Sequence, residues 1–312
     1  MQSVIKAKKN QLKFFGVLKI IAFLLILSYL FYRLGSSSEL SWSSFKVSNN
    51  FALIFAIGLI PLNWFLEFLK WRITTKAVTE EVSLEYAKHS FYAGMITGLL
   101  TPNMIGNFIG RMYYFKRKNR IVVTLLTLIS NQAQFLITLL IGSICFLLIP
   151  SVDGRLTLDM YAWIAIGLVL VLGLTGYFYF EKVLQLFSRT RKIGRRLELV
   201  FLRLSTFRSQ VLSLSLLRYL VFITQFTLIL MAFGVNFEPI VIAKIAQVYL
   251  ISAMVPTLLL GKLGVRESVG VVILGSLGIP ELTILISSLG IWFLNLILPS
   301  LFALILLKSR KE

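Results

Sequence analysis

Apolar residues come along this chain in long runs, and charge gathers in the short gaps between them. Runs near 15–33, 50–70, 121–149, 160–181, 211–233 and 281–307 are about as long as the ~20 residues an α-helix needs to cross a hydrocarbon core. They predict six spanning helices. Two further apolar stretches, 86–115 and 240–280, are less regular, and each holds a helix-breaking pair. Pro102 is followed by Gly106 and Arg111, and Pro256 by Gly261 and Arg266, the arginine standing five residues beyond the glycine in both cases. Pro102 divides 86–115 into arms of roughly 13–15 residues, each too short to cross ~30 Å at ~1.5 Å per residue, so a hairpin that enters and returns on one side is expected.

Charge placement orients these segments. Lys and Arg concentrate on the cytoplasmic side of membrane proteins. Lys6, Lys8, Lys9, Lys13 and Lys19 precede or open the first run, and Lys70, Arg72, Lys76 and Lys88 follow the second. Lys116, Arg117, Lys118 and Arg120 follow the first broken stretch, so both of its flanks are basic. Eight basic residues lie between Lys182 and Arg208, and the chain ends Lys308-Ser-Arg-Lys-Glu. Segments 34–50, 150–159 and 234–239 carry only Lys46 and Arg155 and are expected outside. With six crossings both termini are cytoplasmic, the first hairpin dips from inside and the second from outside. Residues 240–259 are long enough to span alone, but that would put the basic C-terminus outside, so the hairpin is preferred.

The expected fold is an all-α polytopic membrane protein, an inverted repeat of three spans plus one re-entrant broken hairpin per half, eight membrane segments in all. A single membrane domain would occupy 1–312, with halves at 1–150 and 151–312. The segment 182–210, in which Arg195, Arg196, Arg203 and Arg208 alternate with apolar residues, is expected as a cytoplasmic amphipathic linker. Composition agrees: 57% of residues are hydrophobic and mean hydropathy is +0.85, against roughly 45–50% apolar content in soluble domains. No small-residue cleavage site follows the first run, so it is expected as a retained span. The net charge of +19 points to an anionic lipid surface on the cytoplasmic side, each such residue contributing about 1 kcal/mol, and not to nucleic acid. One cysteine, Cys145, excludes an internal disulfide, and one histidine, His89, argues against a histidine metal site. No Walker loop, catalytic triad or paired-carboxylate signature stands in the chain, so neither cofactor nor metal is expected and catalysis is disfavoured.

Candidate chemistry lies at the two breaks. Broken helices at membrane depth survive where they are packed in protein or line a wet cavity, and a matched pair in two halves points to a binding site. Pro102, Asn103, Gly106, Asn107, Gly110 and Arg111 make the first candidate element; Pro256, Gly261, Lys262, Gly264, Arg266 and Glu267 make the second. A helix start offers free N–H groups and partial positive charge to an anion such as phosphate, and a nearby guanidinium binds phosphate bidentately. The competing reading is structural: glycines for close packing and arginines snorkelling to the interface. Glu267 gives Arg266 a partner, and Glu67, a turn from Trp71-Arg72, is expected in an interfacial ion pair. Asn131, Gln134, Gln225, Gln247 and Asn295 are candidates for a secondary polar lining, or for interhelical hydrogen bonds of about 0.6–2 kcal/mol each.

The order Trp71-Arg72, Thr101-Pro102, Gly106, Gly110-Arg111, Gly264-Val265-Arg266-Glu267, Trp292, Asn295 and Pro299 resembles the flippase-like family named for the transmembrane region of lysylphosphatidylglycerol synthases, over nearly the whole chain. The resemblance implies a membrane domain that binds, and in some members translocates, a lipid with a polar head group. Bifunctional members add a cytosolic aminoacyl transferase domain, which this chain is expected to lack. A glutamate often follows the first-motif glycine in that family; here Asn107 takes its place, so the role of that carboxylate does not carry over.

The expected function is lipid binding or translocation in the cell inner membrane, with a phospholipid or polyprenyl-phosphate-linked head group held between the two hairpins. One alternative is a membrane-embedded transferase, for which only Glu267 or Glu67 offers an acid–base group. Another is a non-catalytic partner of a glycosyltransferase or aminoacyl transferase.

Overall fold

The computed structural model describes residues 46–78, 82–101, 104–149, 160–180, 182, 200, 202–255 and 264–308, and every element among them is helical. Among the described residues four helical segments are long and apolar enough to cross a membrane: Asn50–Thr75, Arg117–Leu148, Arg208–Ala232 and Glu281–Leu307. In chain order the helices are α1 (Asn50–Thr75), α2 (Leu84–Leu99), α3 (Gly106–Tyr113), α4 (Arg120–Leu148), α5 (Met160–Phe178), α6 (Arg208–Ala232), α7 (Pro239–Met254), α8 (Val265–Gly275), α9 (Glu281–Trp292) and α10 (Leu298–Lys308). A π-helical turn, Phe293–Ile297, joins α9 to α10. The span expected at 15–33 lies outside the described residues, as do Pro102, Asn103, Pro256, Gly261 and Lys262.

Local chemistry sets the helix starts. Asn49 caps α1, its Oδ1 accepting from Ala52 N–H at 3.0 Å, and Ser83 caps α2 through Tyr86 N–H at 3.2 Å. Pro239 opens α7, where its missing N–H costs nothing. Gly264, at φ +86°, turns the chain into α8, and the Glu267 carboxylate reaches back to its N–H at 2.7 Å.

The two irregular stretches are each split into a helix pair, α2 with α3 and α7 with α8. The 16 residues of α2 and of α7 reach only ~24 Å, short of a ~30 Å core. The second arm of the first pair is shorter than the 13–15 residues expected. The chain turns at Met104 (φ 57°), α3 starts at Gly106, and it stops after eight residues, before Lys116 and the 3-10 turn at Arg117–Asn119 that feeds α4.

Glycine lets these arms interlock. A Cβ on Gly106 would lie 2.0 Å from the Thr97 carbonyl oxygen, and one on Gly110 would lie 2.3 Å from that of Ala93. Hydrogen bonds stitch the same seam: Thr97 Oγ1 donates to Gly106 O at 2.6 Å, Gly106 N–H to Thr101 Oγ1 at 2.6 Å, and Ser90 Oγ to Arg111 O at 3.1 Å.

Helix packing places α1 against α6, and α4 against α3, α5, α6 and α7. The second pair packs through α8 on α9, while α10 packs on α2. One core cluster gathers Phe226, Ile245, Leu250, Leu274, Ile284 and their neighbours; another gathers Trp71, Phe91, Phe115, Leu126 and Val211. Helix α4 contributes to both. Of the expected amphipathic linker most lies outside the described residues. Its last member, Arg208, was expected to face head groups, yet it is 4% exposed. Its guanidinium donates to the Phe178 carbonyl and its own carbonyl accepts from Tyr177 OH at 3.0 Å, so hydrogen bonding within the protein replaces snorkelling here.

Candidate functional site

Asn63, Glu67 and Lys70 fall at intervals of four and three along α1, which puts them on one face of that helix. That face borders a cavity of about 620 Å³. The cavity wall draws on α1, α2, α3, α4, α6, the end of α7 and the π turn. Glu67 is its electrostatic centre. Lys70 Nζ lies 2.7 Å from Oε2, Arg218 Nη1 3.1 Å from the same oxygen, and Arg111 Nη2 3.2 Å from Oε1. The interfacial pair expected for Glu67 with Arg72 is not formed. Five residues along α1, Arg72 is turned roughly 140° around the helix from Glu67, and its guanidinium donates to the Val82 carbonyl instead.

Arg111 is 1% exposed, so it does not snorkel. Its guanidinium carbon lies 4.4 Å from the Trp71 ring centroid and 5.7 Å from that of Phe91, a cation–π cradle that holds the group in the wall. Glu67 satisfies one of its nitrogens, while Nε and Nη1 have no hydrogen-bond partner among the described residues. Asn107 Oδ1 and Gln134 Oε1, also at the cavity wall, are buried without a donor. Buried polar atoms are normally paired, with protein or with water. Orphans gathered at one void therefore mark a place where water or a ligand completes the bonding.

Charge points the same way. Lys70, Arg111 and Arg218 face Glu67 as the one acidic lining residue among those described, which leaves two positive charges in excess. Helix N–H groups contribute less than expected from sequence: Gly106, Asn107 and Phe108 already donate to Thr101 Oγ1, Met104 O and Ile105 O. Anion recognition at this void thus falls on side chains.

A polar chain continues from the cluster. Arg218 Nε donates to Asn63 Oδ1 at 2.9 Å, and Asn63 Nδ2 donates to Asn295 Oδ1. Asn295 Nδ2 donates to Gln225 Oε1 at 3.0 Å, and Gln225 Nε2 to Ala56 O at 3.0 Å. Asn295 sits in the π turn, where the widened helix presents an extra residue; such turns recur at functional sites.

The expected site residues therefore divide. Asn107, Arg111, Asn131, Gln134 and Asn295 line the cavity, with Gly106 and Gly110 behind them at the α2–α3 seam. Gln225 backs Asn295, and Gln247 donates to the carbonyls of Cys145 and Ile149 at 3.1 and 2.8 Å. Arg266 and Glu267 are not among the lining residues. Arg266 Nε donates to Ser288 Oγ at 2.8 Å and Nη2 to Ser288 O at 2.6 Å, while Ser288 Oγ donates to Glu267 Oε1 at 2.8 Å. This knot fastens α8 to α9. Ser288→Ala should lower unfolding stability by about 2 kcal/mol, since two charge-assisted bonds lose their shared partner. Chemical denaturation in detergent measures it, and an unchanged midpoint would refute the knot.

Lys70 and Arg218 are functional candidates that sequence reasoning passed over. Lys70 reads as a cytoplasmic flank because it precedes Trp71-Arg72. Arg218, alone in the apolar run 211–233, carried its own signal, because an ionisable group inside a span is a site by default.

The family described as lysylphosphatidylglycerol synthase TM region matches residues 16–303. No curated protein and no solved structure matches the chain. With four helices able to cross a bilayer, the match makes this a multi-pass membrane protein.

Proposed function

The chain belongs to the lysylphosphatidylglycerol synthase TM region family, and from that premise we propose that it binds the phosphate of a membrane lipid in the Glu67 cavity and carries the head group across the bilayer. The observation that carries this is the cavity's charge: among the described residues, three cations, one carboxylate, and guanidinium nitrogens of Arg111 left without acceptors. A phosphate oxyanion supplies both the missing charge and the missing acceptors. Phospholipids and polyprenyl-phosphate-linked lipids share that group.

The proposal includes an inverted repeat. Exchange α1 with α6, α2 with α7, α3 with α8, and α4 with the α9–α10 span. The α2–α3 contact then becomes α7–α8, α2–α10 becomes α7–α4, α3–α4 becomes α8–α9, and α1–α4 becomes α6–α9, and all of these pairs are packed. That exchange supports two halves of opposite orientation, 1–150 and 151–312, that rock about the α1–α6 contact. Charge placement supports cytoplasmic termini and an inner-membrane location. Glu67 would then sit ~12 Å from the cytoplasmic end of α1, and Arg218 ~15 Å from that of α6, at ~1.5 Å per residue. The polar chain from Asn63 to Ala56 would close the cavity on the far side. The second hairpin, with Arg266, would complete the site when the halves open the other way.

The test is transbilayer movement of fluorescent phosphatidylglycerol in phosphatidylcholine vesicles holding the purified protein. Arg111→Gln and Arg218→Gln should each slow movement about tenfold, the equivalent of one charge-assisted hydrogen bond, with folding checked by gel filtration. Wild-type rates in both variants would overturn the proposal.

A further inference from the structure

We propose that an apolar groove beside the charged cavity holds one hydrocarbon chain of the lipid whose phosphate the cavity cations bind. This rests on the head-group reading above and adds a second subsite and a route of entry to it. The groove, about 180 Å³, lies at the junction of α1, α2 and α10. Trp64, Phe91 and Met95 belong to the walls of both voids, so one layer of side chains separates them. On the far side stand Phe68, Tyr92 and Phe302. Edge-on packing of Phe68 against Phe91, centroids 5.5 Å apart, and contact of Trp64 with Phe302, at 6.2 Å, frame the slot.

Its chemistry selects the occupant. Apart from Lys88 and the Tyr92 hydroxyl the described lining is aromatic rings, the Met95 thioether and Pro299, which suits a chain of methylenes. Phe302 is 51% exposed and faces outward, where the surrounding solvent of a spanning helix is hydrocarbon. Trp64 supplies an independent sign of a ligand. Its Nε1 is buried in the shared wall with no acceptor among the described residues, although a buried indole N–H usually finds one. An ester oxygen between phosphate and hydrocarbon, the acyl ester of a glycerophospholipid or the phosphoester of a polyprenyl phosphate, falls at that wall when each part occupies its own void. Lys88, exposed and five residues past the Ser83 cap of α2, meets the phosphate first as the lipid enters from the side.

Photocrosslinking tests this in the full-length protein. p-Benzoylphenylalanine is placed at position 68, and the protein is reconstituted in phosphatidylcholine vesicles doped with phosphatidylglycerol in one arm and polyprenyl phosphate in the other. Adducts are identified by mass spectrometry, and lipid retention by native mass spectrometry. We expect adducts at position 68 enriched in the doped lipid of one arm, falling about tenfold in Arg111→Gln as head-group capture weakens. The same label at position 55, on the exposed face of α1, should instead report the bulk vesicle composition in both proteins. Adducts at position 68 that mirror the bulk mixture and ignore Arg111→Gln would reduce the groove to ordinary lipid contact. Retention of doped lipid without adducts at position 68 would overturn the groove and leave the head-group site standing. Loss of retention in the parent protein would sink the head-group site, and the groove with it.

Discussion

Glu67→Gln is expected to destabilise the protein by about 3–5 kcal/mol, a fall of roughly 10 °C in melting temperature, because it strips the shared counter-charge from three cations at once. Lys70 and Arg111 are each 1% exposed, so water has little access to take over the role of the carboxylate. Like charges left around one void also repel one another at short range. Two companion measurements separate this from a general packing defect. Glu67→Gln combined with Arg218→Gln should recover part of the loss, since one unpaired cation goes. Added phosphatidylglycerol should raise the melting temperature of Glu67→Gln more than that of the parent, since a phosphate takes the vacated place. A melting temperature unchanged in Glu67→Gln would mean that the three cations are compensated some other way, and the charge argument for lipid phosphate would fall with it.

Gly106→Ala should cost about 3 kcal/mol or more, and lipid binding should be lost with it. Its new methyl group would sit 2.0 Å from the Thr97 carbonyl oxygen, a backbone atom that moves only if α2 moves. Gly110→Ala meets the same obstacle at Ala93. Relief of either clash slides α3 off α2, and Arg111, one residue past Gly110, leaves its place between Trp71 and Glu67. Gly264→Ala gives the contrast: among the described residues beyond its chain neighbours no atom lies within 4 Å of the added carbon, so its φ of +86° supplies the resistance, at about 1–2 kcal/mol. Thermal melting and native mass spectrometry of retained phosphatidylglycerol check the series. If Gly106→Ala melts with the parent and binds lipid equally, the seam is looser than the hydrogen bonds of Thr97 imply.

Much of the helical order was legible in the chain. Expected runs at 121–149, 211–233 and 281–307 became Arg120–Leu148, Arg208–Ala232 and the α9–α10 span, because unbroken apolarity of that length admits few other structures at membrane depth. The first break was legible at Gly106, where α3 starts, since proline and glycine punctuate such runs; of the second, Pro256 and Gly261 lie outside the described residues, and Gly264 turns the chain into α8. Arg111 stood out as an arginine beside a helix break, although Lys70 and Arg218, which share its cavity, did not. Charge near a span end misled twice: Glu67 and Lys70 read as interfacial, and Arg208 as a surface cation. In each case the helix is longer than its apolar core, so the flanking residues are carried inward and buried by adjacent helices.

By itself the sequence determined the class, the approximate helix limits, the two break points and the excess of positive charge, because each follows from local composition and from the geometry of a single helix in hydrocarbon. Only the tertiary structure decided which charges meet. Glu67 lies 44 positions from Arg111 and 151 from Arg218 in the chain, yet all three share one cavity, while Arg266 is bound to Ser288. Such pairings depend on how helices rotate and cross, which is fixed by close packing at points such as the glycine seam. A short-range pattern in one helix carries no record of its neighbour's rotation.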